Sequence, residues 1–186
     1  MKVSVLICSV YASRFLAATM ASLMALLREA EFHVDVESVP TGLPQTTKRF
    51  QRLFDGARGD IIIKSDDDML YSPGFLRESI AILQNNEDVA YVTPVNNEGM
   101  GKPAGRVSVI EKRKDCMVCD HVGGGCWIFS RSLWECVPYS SVTSALDLSF
   151  ARAVWRKTNK RPACTYYNRV RHLNGREQGK TTEQLA

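Results

Sequence analysis

Ile61-Ile62-Ile63-Lys64-Ser65-Asp66-Asp67-Asp68-Met69-Leu70 is the stretch from which the rest of the chain is read. Three β-branched residues make a short buried strand, and three carboxylates follow at its end, where a parallel α/β sheet places its ligand crevice. Carboxylates this close repel one another. A hard divalent cation or hydrogen-bond donors must offset that repulsion, and Mg²⁺ or Mn²⁺ bridges carboxylate and phosphate oxygens in this way. Asp66 to Asp68 therefore suggest a metal-diphosphate site; a solvated acidic turn is the plainer alternative, because Asp is common where strands end.

Upstream, Gly59-Asp60 breaks a short helix over Thr46 to Ala57, with Phe50, Leu53 and Phe54 inward. Pro40-Thr41-Gly42-Leu43-Pro44 is a turn-rich loop, and Phe32 to Glu37 alternates as a strand with His33, Asp35 and Glu37 on one side. Before it, a helix spans Arg14 to Glu31, capped by Ser13, with Phe15, Leu16, Met20, Leu23, Met24 and Leu27 at helical spacing. Val3 to Ile7 is a nearly continuous apolar run, as in strands covered on both faces. Strand, helix, strand predicts a right-handed crossover.

Downstream, Ser72-Pro73-Gly74 opens a helix with proline at its first position and a buried stripe of Phe75, Leu76, Ile80 and Leu83. Val89 to Val95 is a strand, and Asn96 to Gly105 a loop able to move over a ligand. Arg106 to Ile110 suggests a strand, Glu111 to Asp115 a charged loop, and Cys116 to Val122 an apolar segment. Gly123-Gly124-Gly125 leaves room for close backbone approach, and Ser130 caps a short helix through Cys136. Ala145 to Lys157 is the last substantial helix, with Leu148, Ala151, Val154 and Trp155 inward. Arg161 to Asn168 is the final strand.

At 186 residues, 45% hydrophobic and 24% charged, the chain has an ordinary globular composition and is long enough for a sizeable core. A single domain over residues 1–175 with a polar tail over 176–186 is expected. No run of about 18 apolar residues argues for a membrane span. The start has too short an apolar core for a signal peptide and reads as the first strand of a cytoplasmic protein. Of 24 basic and 20 acidic residues, 9 and 2 lie in 149–186, which leaves 15 and 18 before them, so the balance is +7 against −3. Residues 152–180 could thus contact a polyanion, although a solvated basic face is the commoner explanation.

Cys116-x2-Cys119-x-His121-x4-Cys126 places four soft ligands within eleven residues. With the basic end, it invites a zinc-dependent nucleic-acid-binding alternative, although the spacing differs from the usual zinc knuckle. Reduced, partly buried cysteines are the other explanation.

The combined pattern resembles the GT-A glycosyltransferases, most closely the large inverting family numbered two. Val3 to Ile7 with Arg14 to Leu23 resembles that family's opening, and Gly59 to Ile63 followed by Asp66-x-Asp68 its aspartate-x-aspartate strand. Pro73 stands 73 − 66 = 7 positions after the first carboxylate. Val122 to Arg131 is similar to the family's acceptor-side glycine motif, and Val170-Arg171-His172 to its closing histidine. The resemblance covers about residues 3–175. It implies a three-layer α/β/α GT-A (Rossmann-like) fold with a mostly parallel central sheet.

The resemblance further implies transfer of a sugar from a nucleotide-diphosphate sugar, with UDP favoured, to an acceptor hydroxyl with inversion, aided by Mn²⁺ or Mg²⁺. In that frame Asp68 and His172 are the metal candidates, and Asp66 reaches the ribose or a metal-bound water. Ser9, Tyr11, Asp35, Arg49 and Asp67 complete the donor-side candidates. Gly124, Gly125 and Trp127 belong to the acceptor side. Asp147 is the candidate base, as the only carboxylate in the segment where the family carries an acidic pair; a stabilising acidic residue at its helix N-terminus is the alternative. Only 66 − 37 = 29 positions separate Glu37 from Asp66, so the nucleotide half is shortened. The expected acceptor is a glycan, a protein or a modified DNA base. A module that binds nucleotide sugar or glycan without turnover is the alternative within the same fold.

Overall fold

The structure is a computed structural model that describes residues 2–10, 15–27, 33–41, 51, 53–94, 107–137, 146–167 and 169–173. The elements are β1 (Lys2–Val10), α1 (Leu16–Leu27), β2 (His33–Thr41), β3 (Ile61–Asp66), β4 (Met69–Tyr71), α2 (Phe75–Asn85) and β5 (Val89–Thr93). They continue with β6 (Val109–Lys112), β7 (Met117–Cys119), β8 (Cys126–Ser130), α3 (Arg131–Cys136), α4 (Leu146–Thr158), β9 (Arg161–Cys164) and β10 (Val170–His172). Eight strands form one sheet in the order β2-β1-β3-β8-β5-β9-β7-β6, and β10 pairs with β4 alone. The pairs β1–β2, β1–β3 and β5–β9 are parallel, whereas β8 runs against β3 and β5, and β7 against β9 and β6. Six of the eight strands therefore point one way, and the sheet is mostly parallel.

Helices cover both faces, because the central strands alternate between two apolar clusters rather than between core and water. Leu6, Ile62, Trp127 and Phe129 face α3 and α4 through Leu133, Trp134, Phe150 and Val154. The intervening Val5, Ile7, Ile63 and Ile128 face α1 and α2 through Leu23, Phe75, Leu76 and Ile80. Three layers result, as the sequence predicts.

Local differences have local causes. β2 continues through Pro40 and Thr41 instead of turning there, and an edge strand is where a sheet tolerates proline. Pro73 lies ahead of α2, since Gly74 before the helix sits at φ 85 and a left-handed residue cannot continue a right-handed helix inward from the proline. Glu111 and Lys112 belong to β6 after a shift in register between Val109 and Glu111. Ser130 caps α3 as expected, accepting the Leu133 N–H at 3.4 Å. On α4, Phe150 is the large inward side chain, while Trp155 is 39% exposed and lies 3.9 Å from the Arg161 guanidinium. The expected strand over Arg161 to Asn168 ends early, as β9 at Cys164, and β10 is a further short strand beyond it.

Candidate active site at the end of the aspartate strand

β3 delivers Asp66 to the end of the sheet, and the turn that follows is clamped from three sides. From α1, Thr19 Oγ1 donates to the Asp67 carbonyl at 2.7 Å and accepts the Met69 N–H at 3.0 Å. From the glycine segment, the Gly125 carbonyl accepts the Asp66 N–H at 2.8 Å, prolonging the β3–β8 ladder by one step. From β10, the Leu173 N–H donates to the Asp68 carbonyl at 2.8 Å, and the register sets His172 opposite Met69. Met69 to Tyr71 thus leaves the turn as a strand instead of entering a loop. Tyr71 is buried, burial raises its phenol well above the ordinary value, and the protonated hydroxyl donates to Ser65 Oγ.

The Asp68 backbone and the strand that carries His172, 104 positions apart in the chain, are joined through this two-stranded ribbon. Asp68 is only 7% exposed, a costly position for a carboxylate unless cations or donors compensate. Hard cations of the Mg²⁺ and Mn²⁺ kind use one or two carboxylates plus phosphate oxygens and water, and the buried Asp68 carboxylate is chemically suited to such a donor set. Of His172 only the backbone is described. Among the described residues no three His, Cys, Asp or Glu side chains gather into a metal cage.

The second half of the site hangs on Gly124. A Cβ there would collide with the Asp147 carboxylate, and the Gly124 N–H donates to that carboxylate while its carbonyl accepts from Lys64 Nζ. Lys64 Nζ also pairs with Asp66 Oδ1 at 2.6 Å. Burial raises the Asp147 pKa above the ordinary aspartate value; Lys64, the Gly124 N–H and His121 pull it down, and Asp66 pushes it up. Trp127 is fully buried, so it does not face an acceptor as its motif implied. It supports the loop from below: Nε1–H donates to the Gly123 carbonyl at 2.7 Å, and the ring stacks on Phe150 at 5.0 Å.

Asp66, Asp68, Gly124, Gly125 and Asp147 are therefore assembled at one end of the sheet. Ser9 lies at the same end, one step beyond the Cys8–Asp66 pair. Asp35 pairs with Ser4, which is level with Ile62, so the β2 residues nearest the aspartates are Val39 to Thr41. Tyr11 and Arg49 lie outside the described residues. Lys64 and Thr19 escaped sequence reasoning, although the i, i+2 spacing of Lys64 and Asp66 on one strand face was available as a signal.

The zinc set is not assembled. Cys116, Cys119 and Cys126 fall in three separate apolar clusters. Cys119 faces Cys164 at 3.7 Å and Cys126 faces the Tyr71 hydroxyl at 3.8 Å, and both are free thiols. Burial pushes Cys116 and Cys126 up to about 12, which disfavours the thiolate that zinc requires. Among the described residues no helix is long and apolar enough to cross a membrane.

No protein-family model and no curated protein matches the sequence. Solved structures do match in fold. Residues 1–349 of S. aureus TarS in complex with UDP-GlcNAc align with TM-score 0.62 and 13% identity, over 98% of this chain and 62% of that one. GalNAc-T7 with UDP, GalNAc and Mn²⁺ aligns with TM-score 0.71 and 12% identity, over 97% and 45%. Glucosyl-3-phosphoglycerate synthase from Mycobacterium tuberculosis with Mg²⁺ and UDP aligns with TM-score 0.62 and 14% identity, over 99% and 74%. The chain spans less than two thirds of the first two.

Proposed function

We propose, from the premise that this chain has the GT-A fold of those structures, that it is a metal-dependent glycosyltransferase acting on a UDP-sugar. The observation that carries the proposal is the meeting of the Asp66–Asp68 turn, the β10 strand bearing His172, and Gly124 with Asp147 at one end of the sheet. Such a site can hold a donor diphosphate on one side and deprotonate a hydroxyl on the other. The nucleotide-bound states of the similar structures support the donor class.

Asp68 and His172 would hold Mn²⁺ or Mg²⁺, which when bound supplies Lewis-acid stabilisation of the charge developing on the departing diphosphate. Asp66 and Asp67 face the ribose side of the donor, with Ser9 and the end of β2 toward the base. On the acceptor side Asp147 takes the proton of the attacking hydroxyl. Its burial raises its basicity, and the Gly124 N–H fixes one carboxylate oxygen so that the other meets the substrate. Attack from the face opposite the diphosphate inverts the anomeric carbon. The acceptor is a glycan, a protein or a modified DNA base; Arg152, Arg156, Lys157 and Lys160 are exposed and would favour a polyanionic one.

The test is UDP release and sugar transfer over a panel of UDP-sugars and these acceptor classes, comparing wild type with Asp147→Asn. Turnover that falls at least a hundredfold in the variant supports the assignment. Donor binding without turnover against any acceptor would leave a binding module, and equal turnover in both proteins would remove Asp147 from the chemistry.

A further inference from the structure

Among the described residues Lys64 is the one lysine or arginine that is buried, and a core strand carries it into the site. It is 4% exposed, in a run of isoleucines, so its stem is packed and its ammonium has little freedom of position. The ammonium meets Asp66 Oδ1 at 2.6 Å, the Gly124 carbonyl, and the Trp127 ring 5.3 Å from its centroid. Gly124 is thereby clamped on both sides of its own backbone, by Lys64 through the carbonyl and by Asp147 through the N–H. A continuous polar chain runs Asp66, Lys64, Gly124, Asp147, from the donor carboxylate to the candidate base.

We infer that Lys64 is a positioning residue: its ammonium locks the glycine loop against the aspartate strand and serves as the fixed counter-charge that keeps Asp147 ionised for the transfer. The inference deepens the proposed function and rests on Asp147 acting as base. Among the described residues, the charged and titratable groups that act on Asp147 are Lys64 and Asp66 from β3 and His121 from the segment before β8. Lys64 offsets burial, whereas Asp66 works with it. Methionine at position 64 would keep the packed stem and remove the charge. Asp147 would then hold its proton to higher pH, and Gly124 would lose the donor to its carbonyl. Arginine would retain a cation.

The test is read without donor or acceptor. Carbon-13 NMR of labelled aspartate in the full chain, with Asp147 assigned through Asp147→Asn, follows its titration in wild type, Lys64→Met and Lys64→Arg. Lys64→Met is expected to raise the midpoint, with the ionised fraction on the acid side falling about tenfold, the effect of removing one close opposite charge. Lys64→Arg should stay near wild type. Asp66→Asn, which keeps the lysine whole, should lower the midpoint. An unchanged midpoint in folded Lys64→Met, or no fall in Asp66→Asn should Lys64→Met fail to fold, would overturn the inference. Because no substrate is present, failure of sugar transfer elsewhere bears on the proposed function and leaves this result standing.

Discussion

Replacing Phe150 with alanine tests the packing that carries Asp147, against a competing choice made from sequence pattern. Helical spacing puts Trp155 inward, whereas the structure buries Phe150 completely and leaves Trp155 39% exposed. Phe150 stacks on Trp127 at 5.0 Å and 9°, and lies 5.4 Å from Tyr91 and 6.5 Å from Phe129. Removing such a ring forfeits its burial and leaves a cavity, together about 4 kcal/mol. Trp155 makes a cation–π contact, its ring centroid 3.9 Å from the Arg161 guanidinium, and an exposed contact of that kind contributes about 0.5–1 kcal/mol. With a urea slope of about 2 kcal/mol per M, Phe150→Ala should lower the unfolding midpoint by about 2 M and Trp155→Ala by about 0.5 M or less. Phe150→Leu, which conserves more volume, should fall between them. Equilibrium urea unfolding by far-ultraviolet circular dichroism reads all three. Equal midpoints for the Phe150 and Trp155 alanine variants would refute the orientation of α4, and with it the placement of Asp147 against Gly124.

Two further outcomes follow from the same contacts. Asp147 has a raised pKa in the folded protein, so its contribution to stability is complete below the unfolded value near 4 and is lost as pH rises through the folded value. Asp147→Asn should therefore raise the melting temperature at pH 7 and give no gain at pH 3.5, as read by scanning calorimetry at both. In Gly124→Ala the new methyl takes the space of the Asp147 carboxylate, so turnover should fall at least a hundredfold while calorimetric donor affinity stays within about threefold.

What was legible in the sequence was short-range. Ile61 to Ile63 and Val3 to Ile7 announce buried strands by composition, and Ser130 announces its helix by one hydroxyl three residues before the Leu133 N–H. The clustering of Asp66, Asp68 and Gly124 followed from motifs whose roles depend on strand ends. Long-range pairing was not legible. β8 inserts antiparallel between β3 and β5 through partners such as Ile61 and Ser130, which nothing local to either residue records. β4 and β10, three residues each, are too short to show a period, yet they join the Asp66–Asp68 turn to the strand that carries His172. Trp155 fits the inward stripe by spacing, but its indole can cover surface beside Arg161 while Phe150 fills the interior. Lys64 shares a strand face with Asp66 at i, i+2 spacing, but that spacing alone assigns no role, which appears only when the segment before β8 brings the Gly124 carbonyl to its ammonium.

The proposed function depends most directly on a divalent cation and a nucleotide meeting at Asp68. Isothermal calorimetry of wild type and Asp68→Ala with UDP and with UDP-, GDP- and dTDP-sugars, first with Mn²⁺ and then with EDTA, measures that meeting. The proposed function requires binding of a uridine nucleotide by wild type with Mn²⁺ and its loss with EDTA or in Asp68→Ala. Binding of the same nucleotide with equal affinity in EDTA and in the variant, or no binding of any nucleotide by wild type, would contradict it.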